Sequence, residues 1–314
     1  MNLREKGKSL FSILKKTYLE WISDDPFRQS AVIAYYSIFS LPALLIIIIK
    51  VVGRVFGEED IRKEITAQIS STVSESAAQQ VQTMIDNVSQ QGDSTFAIAV
   101  GIGTLLFGAT GVFVQLQLSL NKVWEVEAKP ESGILKIALD RVLSLGFILG
   151  VGFLLIVSLA LTAGLQALGN FIQQFLPDYL LYIFQIAEIL LSLGVITTLF
   201  AMIYKFLPDV DVEWRSVWVG ASVTALLFVL GKIGLGIYFG QTEPGSAFGA
   251  AGAVILILLW VNYSALIFLF GAEFTQVYAR RKGHKFEPSD HARWSAERRL
   301  ADYKEEHGIE KENA

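Results

Sequence analysis

Cysteine is absent from the 314-residue chain, which excludes disulfides, a thiolate nucleophile and thiolate metal sites while leaving the redox compartment open. Histidine is nearly absent as well: His284, His291 and His307 all follow residue 283. No histidine is therefore available inside the apolar body for acid–base or metal chemistry. Nor does that body contain a Walker sequence, a histidine-bearing metal motif or a Ser/His/Asp set. Charge of one sign is not in excess either, the formal net charge being −4, and no basic groove for nucleic acid is evident. These absences predict a chain that is not an enzyme, with no catalytic set, no resident metal, no cofactor and no nucleic-acid partner. The N-terminal segment lacks a compact apolar core followed by a small-residue cleavage site, so the first span is expected to serve as the targeting signal.

What is present is apolar sequence in long runs. Apolar residues make up 53% of the chain and the mean hydropathy is +0.47. A spanning helix needs roughly 20 mostly apolar residues. Six windows qualify: Ala31–Val52, Thr95–Leu120, Leu139–Leu165, Leu180–Phe206, Trp214–Tyr238 and Phe248–Tyr278. The predicted fold class is all-α, a polytopic membrane protein with six transmembrane helices.

Basic residues give the orientation, because cytoplasmic loops retain Lys and Arg. Residues 1–30 hold six, the second connection four (Lys122, Lys129, Lys136, Arg141), the fourth two (Lys205, Arg215) and the tail from Arg280 nine. Opposite them stand only Arg54, Arg62 and Lys63 of the first loop. Both termini are thus expected in the cytoplasm. Trp21, Trp124, Trp214 and Trp218 then mark the cytoplasmic interface, and Tyr179, Tyr182 and Tyr238 the outer one.

Three units follow. Residues 1–30 form a cytoplasmic amphipathic segment in which Leu10, Phe11, Leu14, Tyr18, Trp21 and Ile22 recur at helical spacing, either on the leaflet or against the cytoplasmic loops. Ser23, Asp24, Asp25 and Pro26 supply caps for the next helix. Residues 31–278 form the membrane domain. Its outer loop, 53–94, carries an apolar stripe at Ile61, Ile65, Ile69, Val73, Ala77, Val81, Met84 and Val88 and is read as one or two amphipathic helices. Residues 279–314 form a charged cytoplasmic tail, expected as a solvated helix or an extension without fixed structure.

Two sets of residues could carry function. The first span opens with Tyr35, Tyr36, Ser37, Ser40 and Pro42, polar for lipid contact and kinked by a proline that removes one backbone hydrogen bond. They could line a polar cavity or bond to neighbouring helices. Glu188 and Lys232 are embedded at matching depth in the fourth and fifth spans, and an ionisable residue inside a membrane is a functional candidate by default. They read either as a structural pair or as a coupling pair for protons or ions. A cytoplasmic-side polar set comprises Arg141, Asp209 and Glu273. Asp209 and Asp211 could bind a cation or belong to a turn. The glycines at 231, 234, 236, 240, 245, 249 and 252 permit close helix approach, within one chain or between protomers of a homo-oligomer.

Four ordered segments carry a resemblance: Ala34 to Pro42, Asn121-Lys122-Val123-Trp124, Tyr204-Lys205-Phe206-Leu207-Pro208-Asp209, and Phe248-Gly249-Ala250-Ala251-Gly252 continuing to Gly271-Ala272-Glu273. Over residues 20–280 the chain resembles the YihY/BrkB family of bacterial inner-membrane proteins, historically labelled ribonuclease BN. The resemblance implies a six-helix plasma-membrane protein with cytoplasmic termini and no settled activity. The old ribonuclease label finds no support in these residues. Two functions are carried forward: transport or handling of an amphipathic, lipid-like envelope substrate, with membrane lipids as partners, and a non-catalytic scaffold for envelope integrity.

Overall fold

The computed structural model describes residues 3–72, 75–90, 95–129, 178–242, 252–284 and 286–307. The expected third span at Leu139–Leu165, with Arg141, lies outside them, as do Gly245 and Gly249.

The described chain is dominated by helices: α1 (Leu3–Ser23), α2 (Pro26–Phe56), α3 (Glu58–Thr72), α4 (Glu75–Gln90) and α5 (Thr95–Val123), then α6 (Asp178–Phe206), α7 (Trp214–Thr242), α8 (Gly252–Lys282) and α9 (Ala296–Glu306). Three of them are long and apolar enough to cross a membrane, through Ile189–Phe206 of α6, Trp214–Phe239 of α7 and Val254–Lys282 of α8. Helices α2 and α5 run 31 and 29 residues, roughly 45 Å each at 1.5 Å per residue.

Glycines set how closely these helices meet. A Cβ added at Gly108 would fall 2.8 Å from the backbone nitrogen of Ser40, and one at Gly111 would fall 2.2 Å from the Tyr36 ring. The polar start of α2 is therefore the surface against which α5 is seated. At the α7–α8 seam a Cβ on Gly220 would meet Thr275 Oγ1 at 1.8 Å, and one on Gly271 would meet Thr224 Oγ1 at the same distance. Beside that seam the buried Tyr204 hydroxyl donates to Phe268 O at 2.7 Å and lies 3.0 Å from Thr224 Oγ1, satisfying a polar tip that burial would otherwise penalise.

The expected outer-loop helices are α3 and α4. Ala77, Val81 and Ile85 of α4 are buried with Ile49 of α2 and Ile257 of α8, and Ile61, Ile65 and Ile69 of α3 pack on this cluster. Arg62 and Asp86 form an ion pair across the two helices. The stripe thus caps the bundle at the end opposite to α1. Helix α1 buries Ile13 against Phe274 and Val277 of α8 while leaving Phe11, Tyr18, Leu19 and Ile22 exposed. One face packs on the protein and the other remains apolar and open.

Three expectations are corrected. Asp25 precedes α2 in the left-handed region at φ 54° and makes no side-chain cap; Asp tolerates this region, and Pro26 begins the helix. Trp124 is not an interfacial residue but is fully buried, with Phe286 at 5.1 Å between ring centroids. The tail is neither a solvated helix alone nor an extension. It supplies β3 (Glu287–Pro288) and β4 (Ala292–Trp294), which pair antiparallel with β2 (Val210–Asp211) and β1 (Val126–Ala128) respectively. These two small ladders add strand to an architecture expected as all helix, and they arise because the loops after α5 and α6 offer unpaired backbone groups that the returning chain satisfies.

Candidate functional site

The ladders gather the end of α5, the end of α6, the α1–α2 turn and the tail around one recess of about 1450 Å³. Val114 and Leu118 of α5 contribute apolar surface to its lining, and Asp24, Lys122, Glu125, Asp209, Arg280 and Arg298 contribute charge.

Glu125 is the node of the charged side. It sits just after α5 at φ 54°, a left-handed conformation that costs an ordinary residue about 1–2 kcal/mol. The turn aims its carboxylate at Arg280 (2.7 Å) and Arg298 (2.8 Å), tying α8 and α9 to the α5 loop. Burial alone would raise its pKa, but the hydrogen bonds and charges of Arg280 and Arg298 outweigh burial and hold it below the usual carboxylate range. Next to it Glu127 pairs with Arg293 at 2.9 Å and Arg299 at 3.1 Å.

Asp209 is a second clasp. Its carboxylate accepts from Gln117 Nε2 at 3.1 Å and Asn121 Nδ2 at 2.7 Å and lies 3.0 Å from His291 Nε2, while its backbone N–H donates to Asn121 Oδ1 at 2.8 Å. With its oxygens so engaged, Asp209 reads as a lock on the α6–α7 turn. Asp211 instead pairs with Lys205 of α6. His284 sits beside Ser216 Oγ (2.6 Å) and Glu213 (3.3 Å), both through the same ring nitrogen. That arrangement fixes the end of α8 on the start of α7 and does not form a nucleophile relay, which needs both nitrogens.

Deeper, Glu273 of α8 is 2% exposed. Its carboxyl group lies within hydrogen-bond reach of Asp24, and its Oε2 has no partner among the described residues. Lys122 Nζ donates to Asp24 O at 2.8 Å. Gln276 Nε2 reaches the Val123 carbonyl. Burial raises the Asp24 pKa, against the opposing hydrogen bond from Glu273 and the charge of Lys122. Among the described residues no cluster of three or more His, Asp or Glu has the arrangement of a metal site.

Of the residues singled out from sequence, Asp209 and Glu273 come together at this end. Tyr35 is exposed on α2 and stacks edgewise with Tyr36 and Phe39. Tyr36 and Ser40 face α5, and Ser40 Oγ donates to Ser37 O at 3.0 Å. Pro42 lies within the unbroken α2. Lys232 is half-buried on α7, and Glu188 belongs to α6; the surroundings of the Glu188 side chain lie outside what is described. Sequence reasoning missed Asp24, Glu125, Arg280, Arg298 and His291 as members of one site. A signal existed. Three of the four segments that carried the family resemblance, those at Asn121–Trp124, Tyr204–Asp209 and Gly271–Glu273, converge here.

A family model described as Virulence factor BrkB matches residues 17–295. The chain belongs to the virulence factor BrkB family. Among bacterial relatives it is 26% identical over 262 residues to a UPF0761 membrane protein of Pseudoalteromonas translucida, covering 82% of this chain and 83% of that one. A UPF0761 membrane protein of Alteromonas mediterranea is 26% identical over 279 residues, 87% and 89% of the two chains. The chain spans about half (47%) of the longer Verminephrobacter eiseniae relative, with 28% identity, and 59% of that from Saccharophagus degradans, with 25%. No solved structure matches significantly. BrkB family membership and the apolar helices make this a membrane protein.

Proposed function

We propose that the chain is a six-span protein of the bacterial inner membrane, with both termini cytoplasmic, that takes up an amphipathic, lipid-like envelope substrate at the recess and moves it. The observation that carries this reading is the mixed apolar and charged lining of the recess. Val114 and Leu118 are 39% and 57% exposed, and the same lining carries charged side chains. A hydrocarbon tail and a polar head match these two kinds of surface, whereas a small ion would use only the charged one.

The path of the helices supports the topology. Helix α1, the α5 and α6 exits and the tail share one end, and α3 and α4 cap the other. The described chain leaves the tail-bearing end at Lys129 and resumes at the opposite end at Asp178, as a crossing over Leu139–Leu165 requires. The tail-bearing end holds the basic excess, which supports a cytoplasmic location for it. The open apolar face of α1 suits the leaflet surface on that side. No catalytic activity enters this reading. The scaffold alternative draws on α9, which exposes Leu300 and Tyr303.

A photoactivatable alkyl probe with a polar head, added to the full chain in nanodiscs, tests the proposal. Labelling should concentrate at Val114 and Leu118, be competed by unlabelled lipid, and be lost in Leu118→Trp. Labelling spread evenly over the outer helix surfaces and indifferent to Leu118→Trp would refute it. Removing α9 while labelling persists but the cellular phenotype is lost would favour the scaffold.

A further inference from the structure

Helix α1 presents two apolar faces, and the fold uses one. Ile13 and Thr17 are buried, with Ile13 on Phe274 and Val277 of α8 and the Trp21 ring edge-on to Phe270 at 5.8 Å. On the other side Phe11, Leu14, Tyr18 and Ile22 are exposed at three- and four-residue spacing, with Leu19 beside them, which places them on one stripe. Phe27 continues that surface into α2, being exposed and 5.8 Å from Trp21. A contiguous apolar patch of this kind marks an interaction surface, whereas single exposed apolar residues do not. The order of contacts gives α1 a slope. From Ile13 to Trp21 its partners on α8 run from Val277 back to Phe270, away from the Arg280–Lys282 end and into the apolar span. The C-terminal half of α1 therefore lies deeper than its N-terminal half.

Charge follows the same slope. Helix α1 carries Arg4, Lys6, Lys8, Lys15 and Lys16 against Glu5 and Glu20, and every one of these bases precedes Thr17, on the shallower side. Lys15 and Lys16 are exposed. Lys15 stands one turn from both Phe11 and Leu19, so it rises out of the apolar stripe itself. Glu20 answers Lys16 only across a largely exposed pair at 3.4 Å, which contributes little, and Asp25 is matched by Arg28 at 3.3 Å. The open surface thus combines apolar side chains at depth with a positive surplus above them.

We infer that the outer face of α1 binds anionic phospholipid of the adjoining leaflet, with Tyr18, Leu19, Ile22 and Phe27 among the acyl chains and Lys15 and Lys16 at the level of the phosphates. Lysine suits that position, because its stem lies along apolar surface while the ammonium reaches the headgroup. Attraction to a negative leaflet strengthens binding about fivefold for each such lysine. A second copy of the chain fits less well, since isologous pairing of this face would set its positive surplus against itself. None of these side chains lines the recess, so the inference goes beyond the recess reading and does not depend on it.

Because the chain lacks cysteine, one introduced thiol reads one position. Ile22→Cys, labelled with a fluorophore in the full chain in phosphatidylcholine nanodiscs, is exposed to trace phosphatidylglycerol or phosphatidylcholine carrying the same nitroxide quencher on an acyl chain. Leu226→Cys, at an exposed position on α7, is the reference. Both tracers should quench at Ile22, with a local preference of about tenfold for phosphatidylglycerol, while at Leu226 the two should be equal. Lys15→Gln should cut the preference at Ile22 about fivefold, and Lys15→Gln with Lys16→Gln should bring it near parity. Raised salt should act in the same direction. Equal quenching by the two tracers at Ile22 with both lysines present overturns the inference, and so does a preference that survives both lysine substitutions. Ile22 shielded from both tracers also overturns it, and disulfide-linked dimers of unlabelled Ile22→Cys would then give the face to a second copy. Labelling at Leu118 is read separately, so the recess reading stands or fails on its own result.

Discussion

Replacing Glu125 with glutamine should release the tail without unfolding the helices. Its carboxylate makes two ion pairs, at 2.7 and 2.8 Å, with side chains 25% and 28% exposed against its own 37%. Fully exposed pairs contribute about 0–1 kcal/mol, and breaking a fully buried one costs about 3–5 kcal/mol. Partial exposure screens these pairs, so about 1 kcal/mol each is appropriate, or about 2 kcal/mol together. The left-handed backbone at Glu125 persists in the variant and its strain is no longer offset by the pairs. A loss of about 2 kcal/mol raises the open fraction of the tail about thirtyfold. Amide hydrogen exchange in nanodiscs reads this directly: protection in Val126–Ala128 and Ala292–Trp294 should fall about thirtyfold while α7 and α8 keep theirs. High salt should reproduce part of the effect in the wild type. Protection that changes less than about twofold, or falls uniformly along the chain, would refute the assignment of Glu125 as the tail's anchor.

Further expectations concern the helix seam, a buried hydroxyl and pH. Gly271→Ala drives a methyl group into Thr224 Oγ1 and should destabilise by about 1–3 kcal/mol, as overpacking does; Thr224→Ala in the same chain should restore part of the loss in detergent thermal melts. Tyr204→Phe removes the hydroxyl bond to the Phe268 carbonyl, which keeps its helical donor, and should cost about 0.5–1.5 kcal/mol in the same assay. Glu125 has a lowered folded pKa, so its stabilisation is complete above its ordinary value of 4.5 and disappears as pH falls through the folded value. Asp24 has a raised pKa, so its effect has the opposite sign: stability declines as pH rises from 3.8 through the folded value. Melting across pH should show the low-pH loss abolished in Glu125→Gln and the Asp24 slope abolished in Asp24→Asn.

The long apolar helices were legible because hydrophobic run length is a local property: the windows read at 180–206 and 214–238 fall within α6 and α7. The stripe from Ile61 to Val88 likewise announced two helices through its four-residue spacing. The site was legible only in fragments. Asp209 and Glu273 stood out as acids at the edge of apolar spans, but Asp24 resembled a cap and Glu125 an ordinary loop residue. Glu125's role depends on Arg280 and Arg298, more than 150 positions later, and Asp24's on Lys122, 98 positions later; no periodicity encodes such meetings. The strands were hidden for the same reason: two or three residues are too few for an alternating pattern. Trp124 was assigned to the interface because aromatic position and charge count coincide there, whereas its burial depends on Phe286 in the returning tail.

That tail has a consequence for the order in which the molecule is made. The β1 strand emerges from the ribosome early, yet its partner at Ala292–Trp294 is synthesised only after every apolar helix. Until residue 294 is free, the recess lacks its lid of β4 and α9, Glu125 has no Arg298, and Trp124 has no Phe286. Segments made first fold first, so helix insertion precedes closure, and the last segment to appear ties the loops after α5 and α6 together. A chain stalled or truncated before residue 286 should therefore be inserted but unfastened, a state that cellular proteases could recognise by its exposed β1 edge.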